Sequence, residues 1–213
     1  MPTAKRPRKA RPARRSTYAV RIARKRMAMV RHGYDRVFGI GATKTATSSF
    51  GAAMELLGFR GHVGWDPNLF LAHQRGQLDP ILAVARHYEV FEDLPWGEGD
   101  LYKVLDVQFP RARFVLTVRD FASWARSHER HWGPEGTLPD WLRIDDYPER
   151  REEIGAAYLR RNDEIRAHFA DRPGRLLVLD IAGGEGWSTL CPFLGLPVPP
   201  EPFPVLNVAQ VKR

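Results

Sequence analysis

Short apolar runs alternate along the chain with segments of helical periodicity. Four short runs that end in a glycine or are followed by a charged residue are predicted as buried strands; they are residues 36–41, 89–91, 113–118 and 175–179. The clearest is 113–118, which is rich in β-branched and aromatic residues. Between them, apolar residues recur three and four positions apart, which predicts helices; these are residues 50–57, 66–85 (one or two helices broken near Pro80), 99–109, 120–130 and 152–169. This alternation predicts an α/β fold of three layers, with a central parallel sheet flanked by helices.

Charged residues follow the predicted strands at their carboxyl ends. Lys44, Asp93, Arg119 and Asp180 each come shortly after a strand. In parallel α/β folds, ligands bind beyond this edge of the sheet. The sequence therefore predicts one functional site there.

A polar loop lies between the first strand and the first helix. Residues 39–49 read G-I-G-A-T-K-T-A-T-S-S. Backbone N–H groups at a helix N-terminus converge on one point, where the helix dipole favours an anion. Lys44 adds a charge, and hydroxyl donors are supplied by Thr45, Thr47 and Ser48. The pattern predicts a phosphate or sulfate site, although a polar helix start that is merely capped by Ser and Thr is the alternative.

A second basic segment follows the clearest strand, residues 113–118. Arg119 comes directly after it, and Ser127 follows eight residues later, about two turns along the predicted helix. A guanidinium fork and a hydroxyl can bind one phosphate together. The alternative is an ion pair between Arg119 and Asp120, with Ser127 facing solvent.

Together these segments resemble the sulfotransferases that use 3′-phosphoadenosine-5′-phosphosulfate (PAPS). The loop is similar to their 5′-phosphosulfate loop, P-K-[TS]-G-T-[TS]; the matching residues are Lys44, Thr45, Thr47 and Ser48, while Thr43 replaces the proline and Ala46 the glycine. The spacing of Arg119 and Ser127 resembles the family's 3′-phosphate signature. Residues 91–95, F-E-D-L-P, resemble the segment that carries its catalytic base, with Asp93 at the base position. The resemblance spans residues 36–207.

The resemblance implies a P-loop nucleotide-hydrolase-like fold and in-line transfer of a sulfuryl group from PAPS to a hydroxyl or amine, releasing adenosine 3′,5′-bisphosphate. It implies no metal. The implied catalytic residues are Lys44, which neutralises the leaving oxygen, and Asp93, the general base, with Glu92 and His62 as lesser base candidates and a capping role as the alternative for Asp93. The implied cofactor-binding residues are Thr43, Lys44, Thr45, Ala46, Thr47, Ser48, Arg119 and Ser127. The acceptor, a small molecule or glycan, is not identified; Trp132 and Trp141 are candidates to line its pocket.

The basic residues are concentrated at the N-terminus. The formal net charge is +8, yet residues 1–36 hold thirteen Lys or Arg against one acid, which leaves a net −4 for the remainder. This basic arm could contact nucleic acid, anionic lipid or an acidic polymer, but its prolines favour a flexible, solubilising extension over residues 1–35, ahead of a single domain over residues 36–213. Residues 18–29 could form a basic helix whose apolar stripe is too thin for a membrane anchor.

Composition adds two expectations about location. The single cysteine, Cys191, excludes an internal disulfide and fits a reducing compartment such as the cytoplasm. No apolar run approaches the roughly 20 residues of a membrane span.

Two other functions compete with sulfuryl transfer. The first is a small-molecule or nucleoside kinase with a degenerate loop, although Thr43 stands where the triphosphate motif G-x-x-x-x-G-K-[ST] requires glycine. The second is a non-catalytic protein that binds nucleic acid or an acidic polymer through its basic arm.

Overall fold

The computed structural model describes residues 13–136 and 143–206, with side chains from residue 18 onward. The strands are β1 (Arg36–Gly39), β2 (Gly61–His62), β3 (Val90–Phe91), β4 (Ala112–Thr117) and β5 (Leu176–Leu179). The helices are α1 (Ala13–Arg31), α2 (Thr47–Leu56), α3 (Pro67–Gln74), α4 (Asp79–His87), α5 (Leu101–Gln108), α6 (Phe121–Trp132), α7 (Tyr147–His168) and α8 (Trp187–Leu194).

The strands form one parallel sheet in the order β2-β3-β1-β4-β5. Strand β1 is central, with β2 and β3 on one side and β4 and β5 on the other. The chain crosses to the second side after β3, so the loop after β1 lies where ligands bind in open parallel sheets. This arrangement confirms the predicted α/β class.

Two hydrophobic clusters cover the two faces of the sheet. Because successive strand residues point to opposite faces, Val37 and Val115 join a cluster with α2 and α8. Their neighbours Phe38 and Phe114 join a second cluster with α4, α5 and α7. The three-layer architecture follows from this alternation.

Two local features were not predicted from the sequence, and one prediction is made more exact. Strand β2 was not predicted, because two residues, Gly61 and His62, carry no periodicity. Helix α8 was not predicted either, since it contains Pro192 and is followed at once by Gly195. The segment predicted as one or two helices broken near Pro80 is confirmed as two, α3 and α4; the break falls just before Pro80, which lies in the first turn of α4, where proline is tolerated.

The folded body begins before residue 36, contrary to the expected flexible extension. Lys25 is only 3% exposed and pairs with Glu89, and Ala28 is 5% exposed. Arg21 donates to the Leu56 carbonyl at 3.2 Å and pairs with Glu201. These contacts hold α1 against the body, so residues 18–35 are not a free tail.

Within the described part of the chain, no helix is both long and apolar enough to cross a membrane.

Candidate active site

The loop after β1 packs tightly against the end of β4. A Cβ on Gly41 would lie 1.9 Å from the Thr117 hydroxyl oxygen, and a Cβ on Gly97 would lie 2.2 Å from the Gly41 carbonyl. Neither position can carry a side chain without moving backbone. The loop is thus held between β4 and the segment that follows β3.

Two loop residues adopt left-handed backbone conformations. Lys44 has a φ of 70° and Ala46 a φ of 67°. Left-handed residues within such a turn direct successive N–H groups into one concavity that binds anions. Ala46 stands where the resemblance has glycine, so its Cβ carries strain that glycine would not.

The hydroxyl groups of the loop do not all face one ligand. Thr45 is fully buried; its Oγ1 lies 2.6 Å from the Ala42 carbonyl oxygen and 2.7 Å from Thr117 Oγ1. The Thr45 side chain therefore fastens the loop to β4, and its prediction as a hydroxyl donor to an anion is wrong. Thr47 is buried, and Ser48 is partly exposed in the first turn of α2.

Thr43 connects the loop to α6. Its carbonyl accepts a hydrogen bond from Trp124 Nε1 at 3.1 Å, and its Oγ1 accepts one from Trp132 Nε1 at 3.3 Å. Trp124 in turn stacks on Tyr158 of α7, with ring centroids 3.9 Å apart. Thr43 thus serves the loop through its contacts with two indoles. Trp141, the other predicted pocket aromatic, lies outside the described residues.

Arg119 joins the two predicted phosphate segments. Its Nη1 donates to the Lys44 carbonyl at 3.3 Å, and its Nε donates to Ser123 Oγ at 2.9 Å. Asp120 instead caps α6 by accepting from the Ser123 amide at 2.9 Å, which disfavours the alternative Arg119–Asp120 pair. Ser127, the predicted partner of Arg119, lies one turn beyond Ser123 on α6 and is partly exposed.

Positive charge converges on the loop. Burial lowers the pKa of Lys44; Asp93 opposes this shift, while Arg119 and Arg130 reinforce it. A bound anion would stabilise the charged form of Lys44, because it would offset the repulsion between Lys44 and the two arginines. The loop therefore has the charge as well as the backbone geometry of a phosphate or sulfate site.

Two adjacent carboxylates follow β3 and differ in environment. Burial raises the pKa of Asp93, opposed by the hydrogen bond from the Leu94 amide (3.0 Å) and by Lys44. Glu92 is only 2% exposed; burial, followed by the charge of Asp93, raises its pKa to about 7. Its Oε1 accepts from the Gly64 amide at 2.7 Å, and this hydrogen bond and one with the Thr47 side chain oppose the rise of the pKa. Asp93 is thus the carboxylate coupled to Lys44.

Two histidines on α6 lie close enough to Lys44 for its charge to act on them. Burial lowers the pKa of His128 to about 4, assisted by His131 and Lys44. His128 Nδ1 lies 2.8 Å from the Tyr147 hydroxyl. Burial, followed by Lys44, also lowers the pKa of His131. These neutral imidazoles were not predicted for the site, since their position depends on how α6 packs beside the loop.

Arg161 is a second functional neighbour that sequence patterns did not indicate. From α7, its Nη1 donates to the Ile40 carbonyl at 3.0 Å, and its Nε donates to the Gly99 carbonyl at 3.0 Å. Arg161 therefore supports the start of the loop, although it lies 121 positions from Ile40 in the sequence. No local motif could have revealed this contact.

The remaining candidates at the sheet edge have other roles. His62 Nε2 lies 3.3 Å from an Asp66 carboxylate oxygen. Asp180 accepts from the Gly183 amide at 2.8 Å and organises the turn after β5. Over residues 13–136 and 143–206, no group of three or more His, Cys, Asp or Glu side chains could hold a metal ion.

The fold and this loop define a parallel α/β protein with a candidate anion-binding loop at the carboxyl edge of its central strand. The sulfotransferase domain family matches the chain over residues 36–145 and 135–211. The protein belongs to this family, which implies a P-loop-like fold and a transferase of sulfuryl groups. No curated protein matches the chain.

Proposed function

We propose that this protein transfers a sulfuryl group from PAPS to a hydroxyl or amine acceptor by in-line displacement and releases adenosine 3′,5′-bisphosphate. The family match supports sulfuryl transfer in general. The choice of donor rests on how this chain arranges its two basic segments.

The contact between Arg119 and the Lys44 carbonyl carries the proposal. It brings together two segments 75 residues apart, each suited to one phosphate. A nucleotide with phosphate groups at both its 5′ and 3′ positions fits this pair, whereas AMP would occupy only one of them. Arg119 suits the 3′-phosphate because its guanidinium can bind two oxygens at once.

The residues of the loop fit the 5′ end of such a donor. Gly41 lets the loop pack closely against Thr117, and the left-handed conformations of Lys44 and Ala46 are suited to aiming N–H groups into one concavity. Lys44 would neutralise the charge that grows on the oxygen of the leaving phosphate. One donor of this kind contributes roughly 3–4 kcal/mol to the stabilisation of a transition state. Thr47, Ser48 and Ser127 complete the binding set.

Asp93 is proposed as the general base that removes the acceptor's proton. Its raised pKa makes it a stronger base than an exposed carboxylate. Asp93 and Lys44 each affect the other's pKa through their charges, which supports a base and a cation that act on the same reaction centre. The aromatic side chains of α6, including Trp132, are proposed to contact the acceptor.

Calorimetry with nucleotides tests the donor. We expect adenosine 3′,5′-bisphosphate to bind much more tightly than AMP, and its affinity to be unchanged by EDTA. Equal affinities for the two would overturn the assignment of Arg119 to a 3′-phosphate. An absolute requirement for Mg²⁺ with preference for ATP would instead establish a kinase.

A cytoplasmic location is part of the proposal. It is supported by Cys191, the chain's single cysteine, which is buried and unpaired.

A further inference from the structure

Helix α1 presents a second apolar stripe that faces away from the protein. Its body-facing side carries Arg21, Ile22, Lys25, Ala28 and Met29, all at least partly buried. Val20, Ala23, Met27 and Val30 lie within about 80° of one another at 100° per residue, on the other side. Met27 is 68% exposed, Val30 84% and Val20 43%, so this stripe has no cover in the described structure.

Arginines flank the exposed stripe. Arg24 and Arg31 lie within about 40° of Val20 around the helix, and both are exposed. Neither forms an ion pair with a described residue, in contrast to the body-facing Arg21 and Lys25, which pair with Glu201 and Glu89. The cations on the body-facing side of α1 are thus paired with acidic residues of the protein, whereas Arg24 and Arg31 on the other side are available to a partner.

The stripe predicted over residues 18–29 is too thin to anchor the helix by itself, but exposed Val30 extends it and the flanking arginines add charge. We propose that this face of α1 binds an anionic lipid surface. A helix that lies in the membrane interface buries an apolar face while its Lys and Arg side chains meet anionic headgroups. Apart from Arg21, Lys25 and Arg36, which pair with acidic residues of the protein, residues 1–36 hold ten Lys and Arg that can supply the complementary charge. A second copy of the chain fits less well, because packing two such stripes together would bring Arg24 and Arg31 of both copies into repulsion.

The placement of α1 leaves the candidate active site open during such binding. Its contacts are with residues near the amino ends of the strands: Gly58 after α2, and Glu89 directly before β3. The phosphate loop lies at the opposite edge of the sheet. Membrane binding and nucleotide binding should therefore be independent, and this inference does not rest on the proposed function.

Vesicle co-sedimentation with the full chain tests the inference. We expect binding to vesicles of phosphatidylcholine mixed with phosphatidylserine, weaker binding in high salt, and little binding to phosphatidylcholine alone. The combined variant Val20→Gln, Met27→Gln and Val30→Gln should lower partitioning by about tenfold or more, because it removes the apolar contribution while keeping good helix formers. Arg24→Gln with Arg31→Gln should lower it too. Val107→Gln, which alters an exposed valine on α5, and Arg86→Gln, which alters an exposed arginine on α4, are the matched controls.

Heparin and duplex DNA separate lipid from acidic polymers. Attraction to a polymer depends on charge alone, so the three-glutamine variant should bind both as the unaltered chain does. Two results would overturn the proposal: no binding to anionic vesicles, or vesicle binding that the three glutamines leave unchanged. A dimer in light scattering that the three glutamines dissociate would also overturn it by assigning the stripe to a second copy. Circular dichroism confirms that each variant keeps its helix content.

Discussion

Lys44 and Arg119 have different expected roles, although both contact the same loop. An interaction formed only in the transition state changes kcat, whereas one present throughout changes binding. Lys44→Ala should lower turnover by roughly 10²–10³-fold, the range for losing one preorganised donor, with a smaller effect on bisphosphate affinity because loop amides remain. Arg119→Ala should mainly weaken nucleotide binding, by about 2–4 kcal/mol.

Single-turnover kinetics and calorimetry measure these two effects separately. Slow hydrolysis of PAPS can replace the transfer assay until an acceptor is known. Arg126→Ala, an exposed arginine on α6, is a control for general loss of positive charge. Loss of binding in Lys44→Ala together with normal binding in Arg119→Ala would mean that the two residues serve the opposite phosphates.

Ala46 carries backbone strain that glycine would relieve. Its φ of 67° costs an L-residue roughly 1–2 kcal/mol. Glycine would avoid this cost, but part of the gain would be lost because glycine has more conformational entropy in the unfolded chain. Ala46→Gly should therefore stabilise the protein by about 0.5–1 kcal/mol in urea unfolding. Ala52→Gly, in the helical interior of α2, should do the opposite by about 1 kcal/mol. A loss of stability in Ala46→Gly would show that the left-handed conformation of Ala46 does not raise the free energy of the folded protein.

Asp93 and Glu92 offer a test of which carboxylate is the base. Asp93→Asn keeps the shape of the side chain and removes its proton affinity, so it should lower turnover and flatten the acidic limb of the pH–rate profile. Nucleotide affinity should be nearly unchanged. Glu92→Gln is the matched control and should retain turnover, because Glu92 is held by Gly64 and almost fully buried. Full activity in Asp93→Asn would assign the base to Glu92, His128 or His131.

Sequence patterns could identify the loop and Arg119 because their chemistry is local to a strand end. They could not show that the Thr45 hydroxyl turns inward to Thr117, since this depends on two loops packing together. The brace from Arg161 and the histidines of α6 are likewise products of tertiary contacts between distant segments.

At the scale of elements, the sequence predicted strands and helices correctly where an apolar run or a helical period extended over several residues. Strands β1, β4 and β5 were predicted within one or two residues at each end. Strand β2 has only two residues, and the apolar run of α8 is interrupted by Pro192. For α1, composition indicated a basic tail, but the burial of Lys25 depends on Glu89, which is 64 positions away.

Helix α1 should contribute to stability but not to nucleotide binding. Deleting residues 1–31 removes Lys25 from Glu89 and uncovers the surface under Ala28, so urea unfolding should show a loss of roughly 3 kcal/mol or more. Bisphosphate affinity of the folded protein should stay within about threefold, because α1 contacts the opposite edge of the sheet. Deleting only residues 1–12 is the control that separates the loss of α1 from the loss of the segment before it. A large loss of affinity would place the basic arm at the nucleotide.

At the scale of the whole molecule, two buried groups give stability opposite dependences on pH. The pKa of His128 falls from 6.5 to about 4 on folding, so the unfolded chain binds more protons between these values and stability falls as pH drops through them. The pKa of Glu92 rises from 4.5 to about 7, so the folded chain binds more protons and stability falls as pH rises through that range. Each contribution is at most roughly 3 kcal/mol.

The contributions of His128 and Glu92 partly cancel in the unaltered protein. Variants that remove one group at a time should therefore show each pH dependence of stability separately. Relative to it, Glu92→Gln should gain stability as pH rises from about 4.5 to about 7, and His128→Asn should gain stability as pH falls from about 6.5 to about 4. Asparagine can still accept a hydrogen bond from Tyr147. Urea unfolding at several pH values measures both differences. Differences of the reversed sign would mean that folding neither lowers the pKa of His128 nor raises the pKa of Glu92.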